Sequence, residues 1–308
     1  MAANIVVVGS LNMDLIIRTD HLPRPGEVVI GGEVQRIAGG KGANQAAAAA
    51  RLNGQVLMVG RVGRDENGEK LILSLQEDKV DTAFISRQQD AFTGLAMIAV
   101  DARGRNTTIV SPGANWQLSI DHVKEALDTI RRADLLILQL DIPNETIEFC
   151  ADFAQRNGVA VMLNPAPPRA LSSSLLANAR YLVMNEAEAS VITETTVRSA
   201  KSLTEAAERL HAQGVAVVII SLGEEGAFYS TPAESGRVPA FPVHTIDTTG
   251  AGDAFVGALA VATGNGRPIL EAVRFASAAA ALATKKRGGR PSLPYLSELE
   301  EFLIQADV

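Results

Sequence analysis

The sequence predicts a three-layer α/β body: a mostly parallel central sheet with helices on both faces, carrying a small extra β-sheet. Three observations predict it. From about residue 115 onward, short apolar runs alternate with helical patterns, and repeated strand–helix–strand units close a parallel sheet through right-handed crossovers. The chain has 308 residues, 47% hydrophobic and 20% charged, enough for a large core and too apolar for extensive disorder. Two early segments break the alternation and read as inserted hairpins.

Taken in order, Ile5 to Val8 is a first apolar strand, followed by the loop Gly9-Ser10-Leu11-Asn12-Met13-Asp14. Residues 27–38 hold Val28 to Ile30, then Gly31-Gly32, then Val34 to Ile37, which predicts two short strands about a glycine turn. The Ala46 to Ala50 run predicts a buried helix. Residues 93–110 predict a second hairpin, Leu95 to Val100 and Thr107 to Val110 about the turn Asp101 to Gly104. These hairpins fit either a sheet covering a site or an edge extension of the main sheet. Asp134 to Leu140, Ala160 to Leu163, Tyr181 to Met184 and Val215 to Ser221 read as buried strands. Between them, helices over Asn144 to Asn157 and Leu203 to Gln213 stop at Gly158 and Gly214, the residue type that accepts the left-handed stop. No internal repeat or long linker divides the chain, which predicts a single domain over 1–308 with the extra strands inserted at about 14–39 and 91–111.

A formal charge of −7, with only the short basic run Lys285-Lys286-Arg287, argues against a nucleic-acid partner. Cys150 is the single cysteine, so no intrachain disulfide is possible, and its apolar-periodic setting predicts a packed thiol. His21, His122, His211 and His244 are scattered singly and read as structural or surface groups. No stretch approaches the ~20 apolar residues of a membrane helix, and the N-terminal apolar run is too short for a signal peptide. The expectation is a cytoplasmic protein without a membrane partner.

The chemistry concentrates in Asp247-Thr248-Thr249-Gly250-Ala251-Gly252-Asp253, directly ahead of a helical pattern over Ala254 to Thr263. Small residues let the backbone turn tightly and present successive N–H groups at a helix N-terminus, an anion-binding arrangement. A phosphoryl group in transfer needs such donors, which makes Gly250, Ala251 and Gly252 a candidate anion hole. Asp253 in the first turn is placed to take a proton from an attacking hydroxyl. An acidic residue capping a helix is the plainer alternative.

The string resembles the C-terminal signature of the ribokinase-like (PfkB) carbohydrate kinases. Gly39-Gly40-Lys41-Gly42-Ala43-Asn44-Gln45 resembles that family's first signature, and Asn164-Pro165-Ala166-Pro167, Asn185-Glu186-Ala187-Glu188 and Ser221-Leu222-Gly223 follow in its order, over about residues 4–304. The resemblance implies a ribokinase-like fold whose extra sheet is a lid, hinged at Gly39-Gly40. It implies sugar binding by Asn12, Met13, Asp14, Gly40, Lys41, Gly42, Ala43, Asn44, Asp141 and Asp253. It implies ATP binding by Asn185, Ser221, Leu222, Gly223, Glu224, Glu225, Gly226, Gly252, Asp253 and Ser277. Mg²⁺ would accompany ATP, with Glu188 acting on it through water, although Asn185 and Glu188 also spell a helix capping box. K⁺ would activate through Asp247, Thr249, Ala283, Lys286, Gly288 and Ser292. A homodimer through the lid strands is implied too, and Leu95, Met97 and Ala99 alternate to offer it an apolar face.

The implied reaction is transfer of the ATP γ-phosphoryl group to the 5-hydroxyl of D-ribose. One departure bears on the sugar. Gln139-Leu140-Asp141 stands where the family's ribose kinases show glutamate last. The shorter carboxylate implies a moved backbone, a bridging water or a different sugar, with 2-deoxyribose, a ketohexose or a nucleoside as alternatives. Aromatic residues make up only 4%, which favours a bare sugar over a stacked nucleoside. A catalytically silent sensor would have no need of Asp253. A dinucleotide-dependent oxidoreductase is excluded by the first loop, whose glycine spacing does not admit a pyrophosphate.

Overall fold

The computed structural model describes residues 2–306. Strands β1 (Asn4–Val8), β2 (Asn12–Arg18), β3 (Gln35–Gly39), β4 (Gln55–Gly63), β5 (Asp81–Gln88), β6 (Gly94–Val100) and β7 (Asn106–Ser111) come first. They are followed by β8 (Leu135–Leu138), β9 (Ala160–Leu163), β10 (Tyr181–Asn185), β11 (Val217–Ser221), β12 (Ala227–Ser230) and β13 (Ser235–Val238). Nine strands build the main sheet in the order β13-β12-β11-β10-β9-β8-β1-β4-β5. It is parallel from β11 to β5, and β12 and β13 add an antiparallel edge.

Both faces of this sheet are covered, as its near-continuous apolar strands require. In β1, Ile5 and Val7 enter one core with helices Lys41–Arg51, Ala251–Gly264 and Ile269–Thr284. Val6 and Val8 enter the other, with helices Asn144–Arg156 and Ala200–His211. The predicted stops hold, since Gly158 and Gly214 follow these last two helices with φ of 73° and 99°. Cys150 is fully buried in the second core, where desolvation pushes its thiol up to about 12. Ala46 to Ala49 are buried in the helix that the alanine run predicts.

Strands β3-β2-β6-β7 form a separate four-stranded sheet rather than an extension of the main one. The hairpin expected over 93–110 is present as β6–β7. The one expected over 27–38 is not. Residues 28–34 carry no strand, and β3 pairs antiparallel with β2 instead. Val28 and Ile30 are 93% and 92% exposed. A run of β-branched residues forms a strand only where a neighbouring strand or core receives it, and here β2 is already flanked by β3 and β6. The strand expected over Asp134 to Leu140 is shorter: β8 runs from Leu135 to Leu138 and releases Gln139 and Leu140, ahead of Asp141, from the sheet.

Candidate active site

In the main sheet β1 is followed in space by β4 on one side and β8 on the other, so the crossovers diverge at its carboxyl end, the place where such sheets leave a crevice. The candidate residues converge on that end. β1 leads into Asn12 and Asp14, β8 into Asp141, β9 into Asn164, β10 into Asn185 and β11 into Ser221. A cavity of about 190 Å³ there is lined by Lys41, Asn164, Asn185, Glu188, Ser221, Gly250, Gly252 and Asp253. A larger groove of about 480 Å³ lies at the opposite end, beside Asn4, Gln55 and Asp81 where β1, β4 and β5 begin. It gathers none of the candidate residues.

Asp253 is positioned by a helix crossing. A Cβ on Gly257 would fall 2.5 Å from Ala48 Cβ and 2.8 Å from the Ala49 nitrogen, so helix Ala251–Gly264 lies in backbone contact with helix Lys41–Arg51. One turn earlier on each helix, this approach brings Asn44 and Gln45 to Asp253. Asn44 Nδ2 donates to Asp253 Oδ2 at 3.0 Å, and Gln45 Nε2 donates to Oδ1 at 3.1 Å. The carboxylate keeps an accessible edge on the cavity. Gly250 begins the helix at φ 85°, and a Cβ there would meet the Gly289 carbonyl oxygen at 2.8 Å. The Ala251 amide is engaged with the Thr248 carbonyl at 3.2 Å. Gly252 and Asp253, in the first helical turn, have no acceptor within the helix, which leaves their amides free to meet an anion.

Electrostatically, Lys41 is the hub. Burial raises the Asp253 carboxyl above the ordinary range, against the pull of Lys41, Asn44, Gln45 and Arg290. Asp14 is raised to about 7, first by burial and then by the Asp253 charge, with Arg290 and Lys41 opposing. Burial also raises Asp141 and Glu188, and Lys41 again opposes both shifts. Lys41 thus acts on all four carboxyl groups and Arg290 on two of them, which still leaves a surplus of negative charge that a neutral polyol tolerates and that a cation arriving with a phosphate would relieve.

The candidate sugar side is rigid. Asn115 Oδ1 accepts from the Leu11 amide at 2.9 Å, while its Nδ2 donates to the Leu11 carbonyl at 3.1 Å and to Asn12 Oδ1 at 2.8 Å. Asn12 is thereby held with its amino group free. A Cβ on Gly39 would lie 2.3 Å from Asp14 Oδ2, so that glycine makes room for the carboxylate. Met13 and Ala43 are buried apolar supports. Gly42 lies against Gly9 and Ser10, where a Cβ would be 2.7 Å from the Ser10 nitrogen. The Ser10 hydroxyl donates a short hydrogen bond to Asp141 Oδ2, and Asp141 Oδ1 is buried without a partner.

On the nucleotide side, Asn185 and Ser221 are register partners in β10 and β11. Asn185 and Glu188 do form the capping box, with hydrogen bonds of 2.8 and 2.9 Å. Both residues also line the cavity, so the cap leaves them within reach of a ligand there. Leu222 to Gly226 continue from β11 as a tight turn, closed by the Leu222 amide on the Gly226 carbonyl at 2.8 Å. Ser277 Oγ is buried without a partner.

The remaining candidates form a second cluster. Asp247 Oδ1 accepts from the Thr249 amide and hydroxyl at 2.9 and 2.7 Å, and Oδ2 accepts from the Gly288 amide at 3.0 Å. Burial favours the neutral acid, but these donors outweigh it and hold Asp247 below the usual range. The Ser292 hydroxyl bonds the Gly289 carbonyl at 2.8 Å, and the Lys286 amide bonds that of Ala283 at 3.3 Å. A charged carboxylate among carbonyls and hydroxyls is a donor set suited to a hard monovalent cation. The described residues hold no group of three His, Cys, Asp or Glu side chains for a transition metal.

Four residues given no role by sequence reasoning belong to the site: Gln45, Asn115, Gln139 and Arg290. Gln139 donates to Gln45 at 2.7 Å, and Gln45 passes on to Asn164 and Asp253. A glutamine inside a buried alanine run is a readable signal; Asn115 and Arg290 offer none.

A helix-borne carboxylate beside free helix-start amides, opening on a polar cleft, is an arrangement suited to phosphoryl transfer. The pfkB family carbohydrate kinase model matches residues 2–296. The chain belongs to that family and is a sugar kinase. It is 37% identical over 306 residues to the ribokinase of Haemophilus influenzae, covering 99% of this chain and all of that protein. It is 34% identical to the deoxyribokinase of Salmonella typhi, covering 97% and 98%. The structure of Arabidopsis thaliana ribokinase complexed with ribose and ATP matches with a TM-score of 0.91 at 32% identity, over 98% of this chain and 99% of that one. The predicted ribokinase-like fold is therefore found.

Proposed function

We propose that this kinase transfers the γ-phosphoryl group of ATP to the 5-hydroxyl of D-ribose, giving D-ribose 5-phosphate. The observation that carries the mechanism is Asp253, held by Asn44 and Gln45 at 3.0 and 3.1 Å beside the free amides of the first helical turn. Full-length similarity to ribokinases supports the sugar. Asp253 takes the hydroxyl proton, the amides of Gly252 and Asp253 receive charge on the phosphoryl oxygens, and Lys41 offsets the carboxylates around them. Asn12, Asp14 and Asn44 orient the sugar through its hydroxyls, with Gly40 and Lys41 at the start of the same helix. Asn185, Ser221 to Gly226 and Ser277 take the nucleotide. A divalent cation accompanies ATP, for which we assign Mg²⁺ with Glu188 acting through water; it supplies charge neutralisation at the phosphates.

We assign K⁺ to Asp247, Thr249, Ala283, Lys286, Gly288 and Ser292, as an activator of the neighbouring anion-binding turn. We read the chain as one kinase domain whose small sheet is a lid hinged at Gly39-Gly40, closing to exclude water. Paired lids would make a homodimer. No helix among the described residues is long and apolar enough to cross a membrane, and with ATP as donor we place the reaction in the cytoplasm.

Asp253→Asn tests the base: the substrates still bind, and kcat falls about 10²–10⁴-fold. Near-normal turnover in that variant refutes the assignment. Deoxyribose is the second reading, supported by similarity to the deoxyribokinase and by Asp141 being engaged with the Ser10 hydroxyl. A panel of sugars, each assayed with and without potassium, ranks ribose against deoxyribose and tests the cation together.

A further inference from the structure

Arg290 has no part in the roles above, yet it is 3% exposed within the site. It lies on the short turn Gly289–Ser292. Arg51 pins that turn, donating to the carbonyls of Arg290 and Leu293 at 3.0 and 2.8 Å and pairing with Asp78 at 2.7 Å. A buried guanidinium is costly unless its donors and charge are answered. This one has few hydrogen bonds: Nη1 to Ser74 Oγ at 3.2 Å and Nε to Asn44 Oδ1 at 3.4 Å, with Nη2 unpartnered. Its charge is answered by Asp78, which also pairs with Arg51, and by Asp14 and Asp253, against the repulsion of Arg51.

The chemistry of arginine makes the Asn44 contact directional. A guanidinium has donors only, so the Asn44 edge that meets it must be the carbonyl oxygen. The amino group is then turned toward Asp253, where it donates at 3.0 Å. The Asp253 carboxylate, which only accepts, selects the amino edge from its own side, and Arg290 reinforces that choice from the other. The flipped amide would set oxygen against the carboxylate.

We infer that Arg290 is a positioning residue for phosphoryl transfer, holding the Asn44 carbonyl oxygen so that the amino group faces the Asp253 carboxylate and placing a buried positive charge near it. The inference rests on the reading of Asp253 as the base. Around that carboxylate stand Lys41, Asn44 and Gln45 from one helix, Asp14 from β2, Asp141 beyond β8, Glu188 from helix Glu186–Thr193, and Arg290. Without Arg290, Lys41 faces four carboxyl groups, and Asp253 keeps its proton to higher pH.

The test is the pH profile of kcat for the full chain and for Arg290→Met, Arg290→Gln and Arg290→Lys, with Asp253→Asn alongside. In Arg290→Met we expect kcat to fall about 10–100-fold, KM for ATP to stay within about twofold, and the acid limb to move up by about one pH unit. Arg290→Gln, which keeps a donor for Asn44 but no charge, retains more turnover than Met with the same moved limb. Arg290→Lys returns the limb toward wild type. If Arg290→Met does not fold, the limb of the Gln variant must still lie above that of the Lys variant. Coincident limbs in Gln, Lys and wild type overturn the inference, as does unchanged kcat in Arg290→Met. Near-normal turnover by Asp253→Asn would sink the base reading itself. An inactive Asp253→Asn with unmoved Arg290 limbs sinks only the inference.

Discussion

Asp14 shows how single residues trade stability for a site. Its carboxyl titrates at about 7 in the folded chain against 3.8 in the unfolded one, because burial and the Asp253 charge disfavour ionisation. Between those values the folded chain holds a proton that the unfolded chain has released. Stability therefore falls as pH rises from about 4 to 7, and the full deficit persists above 7. Asp14→Asn removes the deficit. Its folding stability at pH 8 should exceed that of wild type by on the order of 1–3 kcal/mol after solvent screening, read as a higher melting temperature. The gap should narrow at pH 5 and close below pH 4. The same variant should raise KM for the sugar and leave KM for ATP nearly unchanged. A wild type that gains on Asp14→Asn with rising pH would contradict the assigned direction. Such residues were legible by type and place: Asn12, Asp14, Lys41, Asn44 and Asp253 all stand at one end of the sheet. Their energetic coupling was not, since it depends on burial and on distances across more than 200 positions, as between Asn44 and Asp253.

At the scale of elements, the decisive contact is the crossing of helices Lys41–Arg51 and Ala251–Gly264. Alanine at 46–49 and glycine at 257 leave no side-chain layer between the two backbones. The composition of the alanine run announces a buried helix, but not which helix it meets. A larger residue at 257 must push the helices apart, and Asn44 and Gln45 leave Asp253 together. Displacement of order 1 Å costs about 10²-fold in such chemistry. Gly257→Val should therefore lower kcat about 10²-fold, with a smaller rise in KM for ATP, whose candidate contacts at Asn185 and Ser221 come from β10 and β11. Equal damage to kcat and to both KM values would mean general misfolding instead, which circular dichroism checks. The element that sequence patterning misjudged, residues 28–34, failed for a related reason. Strand propensity describes one chain segment, whereas a strand needs a partner, and β2 had already found β3 and β6.

For the whole molecule, the small sheet presents two unlike faces. Asn12, Asp14 and Ile16 point one way along β2, and Leu15 points the other, in register with Met97 of β6, which in turn pairs with Ile109 of β7. Met97 and Ile109 are 49% and 64% exposed. Leu15 packs against the main core, so behind the face carrying the candidate sugar residues it is Met97 and Ile109 that leave an apolar patch open to water. A second copy covering that patch through its own lid would bury it and couple lid closure in one protomer to the other. Wild type should then sediment at twice the 32.5 kDa of the chain. Met97→Glu with Ile109→Glu should sediment as a monomer, because two like charges brought to a symmetric interface meet their own copies. Since neither residue shares the Asp14 face, the monomer should keep its phosphoryl-transfer residues and lose mainly sugar affinity through a looser lid. A wild type that stays at the single-chain mass across micromolar concentrations would show that the patch serves one chain alone.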